Sequence, residues 1–115
     1  MDHVFSEKDL EITDFKDRLV KFAFGSQGRK KTETLNLGIV EFKPCRKSMP
    51  HTHQVDEALY VLSGRGKIKM DGSVFDIKKG DFAHIPSGKS HLIVTDEKNS
   101  LKILFIFGGK INIHY

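Results

Sequence analysis

The amino-acid sequence predicts an all-β fold, a sandwich or closed barrel, on three observations. Apolar and polar residues alternate with period two from about residue 18 onward. Glycine-containing turns break that alternation at short intervals, and no long stretch repeats apolar residues at helical spacing. Two-sided apolar strands late in the chain then favour closure over an open sheet.

The elements follow in order. Residues 1–17 are expected to form an N-terminal extension packing on the barrel, with one short helical turn starting at Ser6. Strands are expected at 18–24, 34–43, 57–62, 67–70, 74–77, 81–85, 91–95, 101–107 and 111–115. The turns between them are Gly25-Ser26-Gln27-Gly28, Ser63-Gly64, Asp71-Gly72, Lys79-Gly80, Pro86-Ser87-Gly88 and Gly108-Gly109. Asp71-Gly72 reads as a tight hairpin, because both residue types tolerate the positive φ of a primed turn.

Two strands look too apolar for a free surface. In 34–43 the apolar residues sit first at odd positions (Leu35, Leu37, Ile39) and then at even ones (Val40, Phe42). Such a switch predicts a bulge, a strand passing between sheets, or an outer face covered by a second subunit. In 101–107, Leu101, Ile103, Phe105 and Phe107 alternate with Leu104 and Ile106, which predicts burial on both sides. A homodimer accounts for both features, and so does a well-covered core within one chain.

A chain of 115 residues is the size of one domain with one core. Its 38% hydrophobic and 30% charged residues exclude a disordered or fibrous protein. With nine Phe, two Tyr and no Trp, Phe must supply much of the buried area. The net charge of +4 raises the question of nucleic acid. Only Arg29-Lys30-Lys31 forms a basic run, however, and the other cations are interleaved with acids, so no nucleic-acid partner is expected. The single cysteine, Cys45, excludes an intrachain disulfide and an all-thiolate zinc site, and favours a reducing cytoplasmic location. No secretory signal is visible, and the longest apolar run, 103–107, is far short of the roughly 20 residues a membrane helix needs, so no membrane partner is expected.

The chemistry concentrates in two segments. In extended chain, residues two apart point to the same side, so His51 and His53 can present two imidazoles to one point. Glu57 enters the following strand, where its carboxylate can face them. Two neutral nitrogens and one anionic oxygen suit a divalent first-row metal. The second segment, 80–91, places a short strand between a glycine turn and a Pro-x-Gly turn and ends on His91.

Together these segments resemble the two motifs of the cupin superfamily. The first is His-x-His, three residues, Glu, six residues, Gly, at His51, His53, Glu57 and Gly64. The second is Gly, five residues, Pro-x-Gly, two residues, His, at Gly80, Pro86, Gly88 and His91. The fifteen residues 65–79 between them match the short spacing of small microbial cupins. Two positions depart from the pattern: Cys45 stands where the first motif usually opens with glycine, and Thr95 where the second usually ends with Asn.

The resemblance implies a double-stranded β-helix, a jelly-roll-like barrel over 18–115. It also implies that His51, His53, Glu57 and His91 bind one divalent metal ion (Mn, Fe, Ni, Co or Zn). Such a donor set leaves an octahedral ion a net charge of about +1 and about two open positions for water, dioxygen or a chelating substrate. The implied function is a metal-dependent enzyme acting on a small polar, carbohydrate- or oxoacid-like metabolite, of isomerase or lyase type. A metal-dependent dioxygenase and a non-enzymatic small-ligand-binding or sensing module are the alternatives. No catalytic residue beyond the ligands is identified. Tyr60 is expected to pack on the face opposite Glu57, and His84 to line the pocket or face outward. His3 and His114 should be exposed, Cys45 small and buried, Asp56 solvated, and Asp81 part of a turn.

Overall fold

In the computed structural model, which describes residues 3–44, 48 and 50–109, eight antiparallel strands carry the chain. They are β1 Thr13–Asp14, β2 Arg18–Phe24, β3 Leu35–Phe42, β4 Glu57–Met70, β5 Ser73–Lys78, β6 Phe82–Ile85, β7 His91–Val94 and β8 Leu101–Gly108. The strand expected at 111–115, with His114, and Cys45 lie outside the described residues. Ahead of β1, a single 3-10 turn, Glu7–Asp9, follows Ser6, whose backbone N–H donates to the Asp9 carboxylate at 2.9 Å. Glu7 then pairs with Lys21 at 2.9 Å and Lys102 at 2.8 Å, and the Phe5 ring lies 5.6 Å from that of Phe24. Among the described residues no helix is long and apolar enough to cross a membrane.

Neighbouring strands run β1-β2-β3-β8-β4-β5, and β6 and β7 also pair with β4. The 14-residue β4 is therefore the spine of the fold. Its first half pairs with β8 and β6, and its second half with β5 and β7. The sequence predicts two strands here, separated by a turn at Ser63-Gly64. Instead the chain stays extended through a register shift between Val61 and Ser63, and Gly64 adopts φ +83°. One positive-φ residue in a bulge bends a strand without reversing it, so a single strand serves both halves of the sandwich. A two-residue hairpin turn of type I′ needs two such residues in succession. Asp71 (φ 53°) and Gly72 (φ 75°) provide them between β4 and β5, as expected of the hairpin.

Of the readings offered for the parity switch in β3, a bulge in that strand and a crossing between sheets are overturned. Even positions point inward throughout: Asn36, Gly38, Val40 and Phe42 are buried, and the β3–β8 register is unbroken. The sequence misleads because two inward positions are not apolar. Asn36 donates through Nδ2 to the Gly109 carbonyl at 2.6 Å, and Gly38 makes room for Phe105, whose Cζ would lie 2.6 Å from an added Cβ. The odd row of Leu35, Leu37 and Ile39 faces outward. On β8 the inward row Leu101, Ile103, Phe105 and Phe107 is at most 1% exposed, whereas Leu104 is half-buried and Ile106 is 41% exposed. Burial on both sides of that strand is thus incomplete within one chain.

The core fills the space between the two halves of the sandwich. Val20, Phe22, Val40, Phe42, Phe105 and Phe107 meet Ile68, Ile77 and Ile93 from the other half. Full burial of such a side chain is worth about 1.5–3 kcal/mol each, and the four Phe here are the largest contributors. Not every Phe is inside, since Phe82 is 80% exposed and its ring lies tilted against that of Tyr60 at 4.6 Å on the outer surface.

Candidate metal centre

Two short-range devices assemble the site. His51 and His91 exchange backbone hydrogen bonds, His51 N–H to the His91 carbonyl at 2.8 Å and the reverse at 3.0 Å. Gly88 N–H donates to the His53 carbonyl at 2.7 Å, so the Pro86-Ser87-Gly88 turn clamps a segment that has no strand partner of its own. Ser48 supports the same wall: its N–H donates to the Ile93 carbonyl and its Oγ accepts from Ile93 N–H, both at 2.9 Å. Glu57 opens β4 and His91 opens β7, so both side chains are held by regular pairing.

The ligand atoms of His53, Glu57 and His91 lie within 4.8 Å of one another, a group that can hold a metal ion. Glu57 is 6% and His91 7% exposed, and the His53 ring meets Phe107 edge-on at 4.6 Å. Glu57 Oε1 is buried without a hydrogen-bond partner. His91 Nε2 is 3.4 Å away but lacks hydrogen-bonding geometry. An orphaned carboxylate oxygen costs about 1–3 kcal/mol or more, which a cation between these three groups removes. The residues present therefore fit a divalent metal.

His51, the fourth expected ligand, stands outside this group. Its ring lies parallel to that of His53 with centroids 6.2 Å apart, and its Nε2 is 2.9 Å from Arg18 NH2. A guanidinium only donates, so Nε2 is the acceptor and the ring proton sits on Nδ1. Arg18 is 5% exposed, and its Nε and NH2 also reach the Asp17 carboxylate at 3.0 and 2.8 Å. Sequence reading missed Arg18 as a pocket residue. Strand parity held the signal, since Arg18 shares the inward row of β2 with Val20 and Phe22.

All five of these side chains line one cavity of about 30 Å³, walled otherwise by residues such as Val40, Leu59 and Ile103. A water-sized group needs about 10–15 Å³ by this measure, so the space admits about two. Burial sets the electrostatics. It pushes the Glu57 carboxyl up to about 8, against the opposing pull of Arg18, and pushes the His53 imidazole down to about 4. Burial also lowers His51 and His91, and Arg18 adds to both shifts. Every imidazole is thereby kept neutral, the form that ligates metal.

The shifts predict how metal-free protein responds to pH. Between about pH 4.5 and 8 the folded state holds a Glu57 proton that the unfolded chain has released, so stability falls as pH rises. His53 acts oppositely, its contribution present above pH 6.5 and lost as pH falls toward 4. Around neutral pH the histidine and Glu57 effects overlap and partly cancel, because the unfolded imidazoles are still about half protonated at pH 6.5. The Glu57 effect alone is worth at most about 1.4 kcal/mol per unit, or about 1.7 kcal/mol between pH 6.5 and 8. Urea unfolding in chelator isolates it, since the stability of wild type relative to Glu57→Gln should fall by that amount from pH 6.5 to pH 8. A difference that stays constant or rises would contradict the assignment.

The remaining candidates lie elsewhere. Tyr60 is on the outer face against Phe82, His3 is exposed, and His84 is exposed beside Asp56 at 3.6 Å. Asp56 accepts from Ser87 N–H and Asp81 from Lys78 N–H, each at 2.9 Å, as turn residues do. Thr95 is buried and donates to the Lys43 carbonyl at 2.6 Å.

Comparison with known proteins agrees with this geometry. The family model described as Cupin domain matches residues 38–107. An uncharacterised protein of Methanocaldococcus jannaschii is 39% identical over 59 residues, covering 50% of this chain and 47% of that one. The acireductone dioxygenase of Trichormus variabilis is 48% identical over 46 residues, covering 36% of this chain and 25% of that enzyme. The chain thus matches less than half the length of these curated relatives. Among solved structures, the polyketide cyclase RemF from Streptomyces resistomycificus superposes with a TM-score of 0.82 at 17% identity, over 99% of this chain and 88% of that one, a likeness of fold.

Proposed function

The chain belongs to the cupin domain family, and on that premise we propose that it is a metal-dependent enzyme acting on a small polar metabolite, of isomerase or lyase type. The observation that carries this reading is the buried, unpartnered Glu57 Oε1 beside His53 and His91. These three residues are the proposed ligands, and His51 joins them when its Nε2 leaves Arg18. A divalent ion held there (Mn, Fe, Ni, Co or Zn) supplies polarisation of a carbonyl or stabilisation of enolate charge.

The protein's own contribution is enclosure and placement. With room for about two water-sized groups, the cavity takes only the chelating end of a substrate. Its apolar walls keep bulk water from that end, which strengthens every electrostatic contact inside.

A dioxygenase is the second reading, favoured by the 48% identity to an acireductone dioxygenase over 46 residues. Metal-reconstituted protein incubated with a metabolite pool separates the two. Product detected by mass spectrometry without oxygen uptake is the expected result. Turnover that consumes oxygen would establish the dioxygenase, and a ligand recovered bound and unchanged would make the protein a binding module instead.

A further inference from the structure

We infer that Arg18 is the anion anchor of this cavity, so that the ligand taken at the metal centre is a small oxoacid bound through its carboxylate rather than a neutral carbohydrate. This rests on the metal-centre reading above and narrows it to one substrate class. Arg18 lies outside both sequence motifs, at the start of β2, yet its side chain turns into the cavity and is 5% exposed. Burying a guanidinium is costly unless it is paired, and replacement by an apolar residue is often neutral or stabilising. Here Asp17 pairs the guanidinium and the Phe42 ring supports it, and the group so held lines the cavity beside the proposed ligands.

Its surroundings identify its use. Asp17, at 22% side-chain exposure, grips one edge of the guanidinium from the rim, and the Phe42 ring supports its face at 4.9 Å. These contacts fix the group as a rigid, oriented fork, the geometry that matches a carboxylate. Through NH2 it also reaches His51 Nε2 at 2.9 Å, so the fork stands beside the proposed ligands in one small space.

The charges make the same demand. Arg18 and Asp17 cancel, whereas a divalent ion with Glu57 would leave one positive charge in a largely buried cavity. A monoanion neutralises that charge and a neutral polyol does not. When His51 gives its Nε2 lone pair to the metal, Arg18 loses that acceptor, and a carboxylate oxygen replaces it. A neutral ligand's oxygen also accepts such an N–H, but a carboxylate makes the contact charge-assisted and about twice as strong.

Cobalt(II)-loaded protein tests the inference, with cobalt stoichiometry measured first and ligand entry followed in the visible spectrum. The probes are pyruvate and pyruvamide, which share shape and chelating oxygens but differ in charge. Arg18→Gln is expected to weaken pyruvate binding at least tenfold while pyruvamide stays within about twofold and cobalt remains near one per chain. Arg18→Lys, which keeps charge without the fork, should recover part of the loss. If Arg18→Gln leaves pyruvate affinity unchanged, or weakens both probes equally with cobalt retained, Arg18 shapes the pocket only and the inference fails. Wild-type protein that takes up no cobalt would instead overturn the metal-centre reading beneath it. Should Arg18→Gln not fold, the comparison of wild type with Arg18→Lys decides, an unchanged pyruvate-to-pyruvamide ratio counting against the anchor.

Discussion

The double substitution His53→Ala, His91→Ala is expected to reduce bound divalent metal from about one ion per chain to near zero after reconstitution and dialysis. The two residues supply two of the three ligand atoms that lie within 4.8 Å of one another, leaving the Glu57 carboxylate with at most His51 beside it. Loss of groups that merely support a ligand costs 10–100-fold in affinity, so loss of two ligands should exceed about 100-fold. Both rings lie beside the core rather than at its centre, and the variant should remain folded by circular dichroism. Uptake should also carry a proton signature. Because burial raises Glu57 to about 8, metal entering at pH 7 displaces close to one proton, and at pH 9 almost none. Calorimetry in buffers of different ionisation enthalpy reads that number directly. Equal metal retention by wild type and the double variant would end the metal reading, whatever the protein's activity.

The parts of this molecule that were legible in its sequence are those where local chemistry and geometry coincide. Strand β2 was readable to the residue because inward Val20 and Phe22 alternate with half-buried Leu19 and Lys21, and the Gly25 turn ends the run. The Asp71-Gly72 hairpin was readable because only a few residue types tolerate two successive positive φ values. The site was readable because His51, His53, Glu57, Gly80, Pro86, Gly88 and His91 carry a joint spacing that matches a family's motifs. What escaped was decided at long range. Asn36 and Gly38 face the core because Gly109 and Phe105 are there to receive them, and neither partner is visible from β3 alone. Arg18 enters the cavity for an analogous reason, since Asp17, Phe42 and His51 converge on it from three parts of the chain. His51 itself shows the limit of spacing: two residues from His53, it shares the cavity but turns its Nε2 to Arg18.

Gly64→Ala is expected to destabilise the protein by about 3 kcal/mol, and comparison with Gly72→Ala shows where that cost arises. Both glycines have similar positive φ, +83° and +75°. An alanine in that conformation costs about 1 kcal/mol at either position. At Gly72 an added Cβ meets nothing within 4 Å, so the backbone term is the whole expected effect. At Gly64 the same atom would lie 1.9 Å from the Ser100 carbonyl oxygen, closer than any real contact, and β4 would have to move away from the chain entering β8. Overpacking of this kind adds about 1–3 kcal/mol. Urea midpoints at constant slope give both values. The consequence reaches the site through the fold rather than through the ligands. Gly64 closes the first motif, but its place is the bend at which β4 leaves β8 for β5 and β7, and β7 begins with His91. A folded Gly64→Ala protein should therefore still bind metal, with affinity falling only as far as the bend displaces His91 from Glu57. Equal costs for the two substitutions would mean that the close approach at Ser100 is not what requires glycine there, and that φ alone sets the residue.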